Sequence, residues 1–202
     1  MTSFLNRLHL NSHQHYFFYY FRMLNYDKLC TGSLPVRIYA EMSESSAKCV
    51  CQMDEELCAI VAALRKVYPN DKILKTSFSM RDCVIENYTD QVKDTTSTAT
   101  CISSNTAFGK HNIPYTTLSD GNIVPTLKHK FFETDLPFGL VTFKDIAMMC
   151  GVKTPLIDAM ILWNQGLIDK EYLKSDLITA GKDIEEAIVP SRMGYTLKNL
   201  LS

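Results

Sequence analysis

Closely spaced glycines are missing from this sequence of 202 residues. It contains 8 glycines, and no two of them are separated by a single residue. A dinucleotide-binding loop needs such spacing, because backbone N–H groups must come close to a pyrophosphate. The G-x-x-x-x-G-K-[ST] pattern of P-loops is absent as well. The sequence therefore contains no recognisable loop for the diphosphate of a nucleotide.

Long apolar runs and a strong charge imbalance are also missing. The aromatic stretch from Tyr16 to Phe21 is far shorter than the about 20 residues that a membrane-spanning helix needs. The N-terminal leucines are not followed by the small-residue cleavage site of a secretory signal. The formal net charge of −1 gives no basic surplus for a polyanionic partner. We therefore expect neither nucleic acid nor a membrane as a partner.

The 7 cysteines do not form the pattern of a disulfide framework or of a metal site. Their number is odd, and without an export signal we expect thiols in a reducing compartment, the cytoplasm. Cys49, Cys51 and Cys58 lie within one predicted helix, with no second pair of ligands at a spacing typical of zinc sites. No metal is predicted, and the H-E-x-x-H and G-x-S-x-G patterns are absent.

Helical periodicity predicts a mainly α fold. Apolar residues keep the helical period over residues 43–68, with Ser43 as a cap and Pro69 as a stop. Thr154-Pro155 is typical of a helix start, with a hydroxyl cap and proline in the first position. Further helices are predicted within 76–93, over 137–150 with its exit at Gly151, around 183–188 and over 196–201. Residues 109–131 are expected to form a loop, because prolines and an Asp-Gly pair interrupt them.

Two side-chain expectations accompany this assignment. The acidic run Asp54-Glu55-Glu56 is expected to form an exposed helix face, and Trp163 is expected to lie in the core. The chain is divided into an aromatic-rich N-terminal arm, residues 1–35, and a helical domain, residues 36–202.

Several short motifs resemble those of the octopine/nopaline (opine) dehydrogenases. Asp135-Leu-Pro-Phe-Gly-Leu140 is followed by Gly151-Val-Lys-Thr-Pro155 and by Ile157-Asp158, in the order of the family's D-x-P-x-G-L and G-V-x-T-P signatures. Other similar positions lie upstream and downstream: Lys93-Asp94, Asn105, Phe108, Asp120-Gly121, Pro125, Phe131-Phe132-Glu133, Arg192, Gly194 and Leu197. The resemblance covers residues 35–202 well and residues 13–34 weakly.

The resemblance implies the helical substrate domain of an NAD-dependent enzyme, without its Rossmann domain. In that family an amino acid condenses with a 2-oxo acid such as pyruvate, and the imine is reduced to a secondary amine at the expense of NADH. It also implies a general acid/base and a cation for a substrate carboxylate. NAD would be bound by a domain absent from this chain, such as a Rossmann domain in another chain.

The resemblance also suggests site residues. It places the catalytic histidine at His15, with His13 as the rival, and a substrate-binding tyrosine at Tyr20. Ser103 stands where the family has its carboxylate-binding arginine, next to a Ser-Asn pair that includes Asn105, the other expected substrate contact. A serine cannot make the charged, forked contact of an arginine.

Further family positions are changed. Gly109 stands where an orienting aspartate is expected, and Cys83 stands at a tryptophan. Asp120 is kept, but in an Asp-Gly pair that a turn explains.

Three functional hypotheses follow from these features. The first is the substrate domain of an opine dehydrogenase, incomplete or inactive by itself. The second is a non-catalytic binding or scaffold domain derived from that family, which the changes at Ser103 and Gly109 favour. The third is a helical protein-interaction module that uses the aromatic residues 16–21.

Overall fold

The computed structural model describes residues 37–75, 79–129, 131–175, 178 and 181–201. The predicted arm, with His13, His15 and Tyr20, lies outside the described residues. The division of the chain at residue 35 therefore stays a prediction.

Helices dominate the described residues, as the periodicity predicts. They are α1 (Glu44–Val67), α2 (Lys72–Lys75), α3 (Met80–Asn87), α4 (Thr98–Ser103), a π-helical segment (Phe131–Leu140), α5 (Val141–Cys150) and α6 (Pro155–Leu167). Short 3-10 turns lie at Thr89–Gln91 and Ile184–Glu186. The mainly α fold class is confirmed.

The ends of α1 and α5 follow from local sequence. The Ser43 hydroxyl accepts a hydrogen bond from the Ser46 N–H at 3.2 Å, which satisfies one free donor of the first turn of α1. Gly151 closes α5 with a φ of 67°, a left-handed conformation that glycine adopts without steric cost. The helix predicted over 137–150 is divided, because Pro137 lies inside the π-helical segment and α5 begins only at Val141.

Two regions differ from the sequence-based prediction. Within the expected loop, β1 (Tyr115–Thr117) and β2 (Ile123–Pro125) form an antiparallel hairpin in which Thr116 pairs with Val124. Near the C-terminus the predicted helix at 183–188 is a short 3-10 turn, and residues 197–201 form turns only. These short segments lack a periodic apolar face long enough to distinguish helix, turn and hairpin.

The core is built around α1, which packs against α4, α5 and α6. Its buried apolar side chains come mainly from three helices: Val50, Met53, Leu57, Ile60 and Leu64 from α1, Val141, Ile146 and Ala147 from α5, and Ile157, Met160 and Ile161 from α6. The expectation that Trp163 belongs to this core is wrong, since its side chain is 37% exposed. The face of α6 that meets the core instead contains Asn164 and Gln165.

The acidic run in α1 is only partly an exposed face, which corrects the second expectation. Glu55 is exposed, but Asp54 and Glu56 are buried. Glu56 accepts hydrogen bonds from the backbone N–H groups of Leu156 and Ile157 at 2.8 and 3.0 Å. These are free donors of the first turn of α6, so a distant carboxylate caps the helix at its positive end. Thr154 is the cap residue by position, but its side chain forms no capping bond.

Asp54 has the same role on the other side of α1. It accepts hydrogen bonds from the Met80 N–H at 2.7 Å and from the Thr98 hydroxyl at 2.8 Å. Residues two apart on a helix point about 200° away from each other. Asp54 therefore holds α3 and α4 on one side of α1, and Glu56 holds α6 on roughly the opposite side.

Candidate functional site

The candidate site lies at the C-terminal end of α4, where Ser103 and Asn105 are placed. The beginning of α4 is fixed by a reciprocal cap: the Ser97 hydroxyl accepts from the Thr100 N–H at 3.1 Å, and the Thr100 hydroxyl accepts from the Ser97 N–H at 3.0 Å. The bond between Thr98 and Asp54 ties the same turn to α1. Hydrogen bonds to Ser97 in the preceding loop and to Asp54 of α1 thus fix the position of α4.

Ser104 joins the end of α4 to the preceding loop. Its hydroxyl oxygen accepts hydrogen bonds from the backbone N–H groups of Lys93 and Asp94 at 3.2 and 2.9 Å. Beside it, the Thr106 N–H donates to the carbonyl of Gln91 at 2.9 Å. The loop at residues 91–94 is therefore held alongside residues 104–106.

Asn105 has a buried side chain, and one of its two polar atoms is unsatisfied within the described residues. It is 1% exposed, and its Oδ1 accepts a hydrogen bond from the Ala107 N–H at 2.9 Å. Its Nδ2 has no hydrogen-bond acceptor within the described part of the chain. A buried donor left unsatisfied costs about 1–3 kcal/mol, so such a group is unusual in a native fold. The described residues therefore leave one buried amide donor of this turn without an acceptor.

Aromatic rings pack together beside the turn that follows α4, in which the Phe108 N–H donates to the Asn105 carbonyl at 3.1 Å. Phe108 packs against Tyr39 and Tyr88, with ring centroids 5.4 and 4.9 Å apart, and Tyr39 also meets His111 edge-on at 5.8 Å. Arg37, the first described residue, forms an isolated antiparallel β-bridge with Asn112, which follows His111 in the sequence.

A positive and a negative residue, Lys93 and Asp94, lie in the loop beside the end of α4. Lys93 is exposed and forms no ion pair among the described residues. Hydrogen bonds from the side chain and backbone of Thr96 lower the pKa of Asp94 from its usual value. The carboxylate of Asp94 is thus engaged within its own turn.

The other positions singled out in the sequence have structural explanations. Asp120 is exposed in the turn of the β-hairpin and accepts from the Asn122 N–H at 2.9 Å and from its side-chain amide at 2.8 Å. These bonds lower the pKa of Asp120. Gly109 supplies no orienting carboxylate. Cys83 is half-buried on α3, where burial raises the pKa of its thiol and disfavours the reactive thiolate.

The described residues do not fit a metal ion or a dinucleotide. They contain no group of three or more His, Cys, Asp or Glu side chains that could hold a metal. Their sheet has two antiparallel strands, whereas the dinucleotide fold needs an open parallel sheet. The positive-φ glycines, Gly121, Gly151 and Gly194, lie in separate turns. No series of adjacent N–H groups therefore forms a phosphate cradle in this part of the chain.

Two further observations on the described residues concern disulfide bonds and membrane-spanning helices. No disulfide links the cysteines among the described residues. None of their helices combines the length and the apolar character that crossing a bilayer requires.

The sequence matches a family model described as the alpha-helical domain of NAD/NADP octopine/nopaline dehydrogenase over residues 8–168. Tauropine dehydrogenase of Arabella iricolor is 35% identical over 170 residues, which are 83% of this chain and 42% of the relative. Opine dehydrogenase of Haliotis discus hannai is 30% identical over 163 residues, 81% of this chain and 40% of the relative. The chain thus spans about two fifths of the length of these relatives.

The fold is similar to that of octopine dehydrogenase solved with NADH and L-arginine. The TM-score is 0.78 at 24% sequence identity, and the similarity covers 92% of this chain and 47% of the other. A second structure, with NADH and agmatine, gives the same TM-score at 23% identity. At this identity the similarity establishes the helical architecture. The family match includes Ser103 and Asn105, and it also includes His15 and Tyr20, which the structure does not describe.

Proposed function

The chain belongs to the octopine/nopaline dehydrogenase family by its alpha-helical domain, and from that premise we propose that it is the substrate domain of an NAD-dependent opine dehydrogenase. The reaction would be the reductive condensation of an amino acid with a 2-oxo acid such as pyruvate. The observation that supports this most is the family match over residues 8–168, which includes α4.

The proposed roles follow the resemblance. His15 is the general acid/base, with His13 as the rival, and Tyr20, Ser103 and Asn105 contact the substrate. Ser103 is the last residue of α4, and Asn105 follows it by two residues. Histidine suits the acid/base role because its ordinary pKa lies near neutral pH.

The described residues lack the parallel sheet and the adjacent glycines of a dinucleotide fold. We propose that NAD is bound by a Rossmann domain outside this chain, in another polypeptide or in a longer form of this one. The domain would then be inactive by itself. We propose that the reaction takes place in the cytoplasm.

NADH oxidation tests the proposal directly. The chain is assayed with pyruvate and a panel of amino acids, first alone and then with the nucleotide-binding domain of a tauropine or opine dehydrogenase. We expect turnover in the mixture only. The matched variants H15Q and H13Q identify the catalytic histidine, because turnover should be lost in one and kept in the other. If no amino acid gives turnover in the mixture, the proposal is wrong.

The second candidate is a non-catalytic binding domain derived from the same family. Gly109 and Ser103 favour it, because neither side chain supplies the charge that the family resemblance implies at its position. Calorimetry with amino acids, pyruvate and opines separates the two candidates. Binding without turnover in the reconstituted mixture would support the second candidate.

A further inference from the structure

The outward side of α6 is apolar. Its exposed residues recur at helical spacing and lie within about 100° of the helix circumference: Pro155, Ala159, Leu162, Trp163 and Gly166. Leu162 is 44% exposed and Trp163 is 37% exposed. The outward side of a surface helix is normally polar, and a continuous apolar one marks a contact with another molecule or domain. These five residues are called the α6 face below.

No charge interrupts the α6 face. The one charged residue of the helix, Asp158, is held by the buried Lys144 at 2.8 Å and by the Thr154 hydroxyl at 3.3 Å. Like charges that meet across an interface oppose association. An uncharged face can therefore meet an identical face without electrostatic repulsion.

Charged residues of opposite sign flank the α6 face. Lys153 lies two residues before the helix and Asp169 two residues after it, and both are exposed. Neither forms an ion pair with another described residue, and Lys170, which follows Asp169, is paired with Glu186 at 2.6 Å. In an antiparallel pair of α6 helices, the Lys153 end of each copy lies beside the Asp169 end of the other. A parallel pair would bring like charges together.

The sizes of the side chains fit the same arrangement. Residue 161 is the midpoint between 153 and 169, and also between Ala159 and Trp163. When two antiparallel helices cross level with residue 161, the Trp163 ring of each copy lies opposite the small Ala159 of the other. Helices pack closely where a large side chain of one fills the space beside a small one of the other. Tryptophan is also enriched at the centre of protein interfaces.

We propose that the α6 face binds the α6 face of a second copy of this chain in an antiparallel, two-fold symmetric contact. Lys153 of one copy pairs with Asp169 of the other at each end. A contact in which the same patch serves both copies is the commonest form of dimer. The inference does not depend on the proposed function.

The area of the contact sets its strength. A helix of 13 residues is about 20 Å long, so its face is smaller than the about 800 Å² that each partner buries in a standard interface. We therefore expect a weak dimer, with a Kd of about 10–100 µM.

Sedimentation velocity and the fluorescence of Trp163 test the contact on the whole chain. Trp163 is the single tryptophan of the sequence, so its emission reports on the α6 face alone. As the concentration is raised, we expect the sedimentation coefficient to increase. The emission should move to shorter wavelength, and acrylamide should quench it less.

Two leucines of almost equal exposure provide a matched comparison. L162S removes an apolar side chain from the α6 face and should weaken dimerisation about tenfold or more. L118S changes a leucine of the β-hairpin that is 43% exposed, and its Kd should stay within about twofold of the wild type.

Charge exchange tests the antiparallel orientation. K153E and D169K each bring like charges together at both ends of the contact and should weaken dimerisation about five- to tenfold at low salt. The double variant K153E/D169K restores opposite charges and should dimerise like the wild type. At high salt the single variants should approach the wild type, because salt screens exposed charges. Thermal unfolding checks that each variant is folded.

Four outcomes would overturn the proposal. The first is a chain that stays monomeric at its highest soluble concentration. The second is a double variant that dimerises no better than K153E. The third is a Trp163 that is shielded from acrylamide at every concentration, since a segment of the same chain then covers α6. The fourth is a dimer that L118S weakens as much as L162S.

Discussion

Glu56 offers a direct test of how α6 is held against α1. The substitution E56A removes a carboxylate that accepts from two backbone N–H groups at 2.8 and 3.0 Å, at a residue that is 7% exposed. A hydrogen bond to a charged group contributes about 1.5–3 kcal/mol, and the two donors would be left with little access to water. We expect the free energy of unfolding to fall by about 3–5 kcal/mol.

Urea denaturation measures this loss, and the neighbouring acid is its control. With an m-value of about 2 kcal/mol/M, the midpoint for E56A should move down by roughly 2 M. E56Q keeps one acceptor oxygen and should lose about half as much free energy. E55A removes an exposed carboxylate of the same helix and should change stability by less than about 0.5 kcal/mol. If E56A and E55A have equal effects, the carboxylate does not hold α6.

Three further substitutions have measurable outcomes. G181A should destabilise the domain by about 1–3 kcal/mol in urea, because its Cβ would lie 2.5 Å from two backbone carbonyl oxygens; the control G166A, on open helix surface, should be neutral or stabilising. D94N should lower the free energy of unfolding at pH values above the ordinary pKa of a carboxyl group. The difference from the wild type should vanish as the pH falls through the lowered pKa of Asp94 in the folded state. Burial, aided by the charge of Glu186, raises the pKa of Tyr172 to about 12. The protonated Tyr172 hydroxyl therefore stabilises the folded state, and this contribution should be lost as the pH rises from 10 towards 12. Absorbance titration should show a tyrosine of high pKa that Y172F removes. A Tyr172 that titrates near 10 would contradict this.

The sequence predicted the long helices because their signals are local. Ser43, Gly151 and Pro155 mark helix ends through their own side chains or backbone preferences, and each lies within a residue of the observed boundary. The absence of a dinucleotide loop could also be read directly, since it depends on the spacing of glycines alone. The family motifs gave the architecture, which the structural similarity confirms.

The candidate site was predictable only in part. Ser103 and Asn105 were indicated by resemblance, but the burial of Asn105, with a donor that is unpaired among the described residues, depends on tertiary packing. Lys93 was part of the resemblance without any role. The hydrogen bond from the Lys93 backbone N–H to the Ser104 hydroxyl joins residues 11 apart, and no local sequence pattern predicts such a contact.

Local sequence fixed where helices begin and end, because capping and periodicity act within a few residues. Only the tertiary structure decided which side of each helix is buried. Trp163 and Ile161 are both apolar residues of α6, yet one faces outward and the other is fully buried, since α1 meets only one side of the helix. Likewise, Asp54, Glu55 and Glu56 are three consecutive acids. The first and last are buried because donors that lie 26 and 101 residues away in sequence meet them in space.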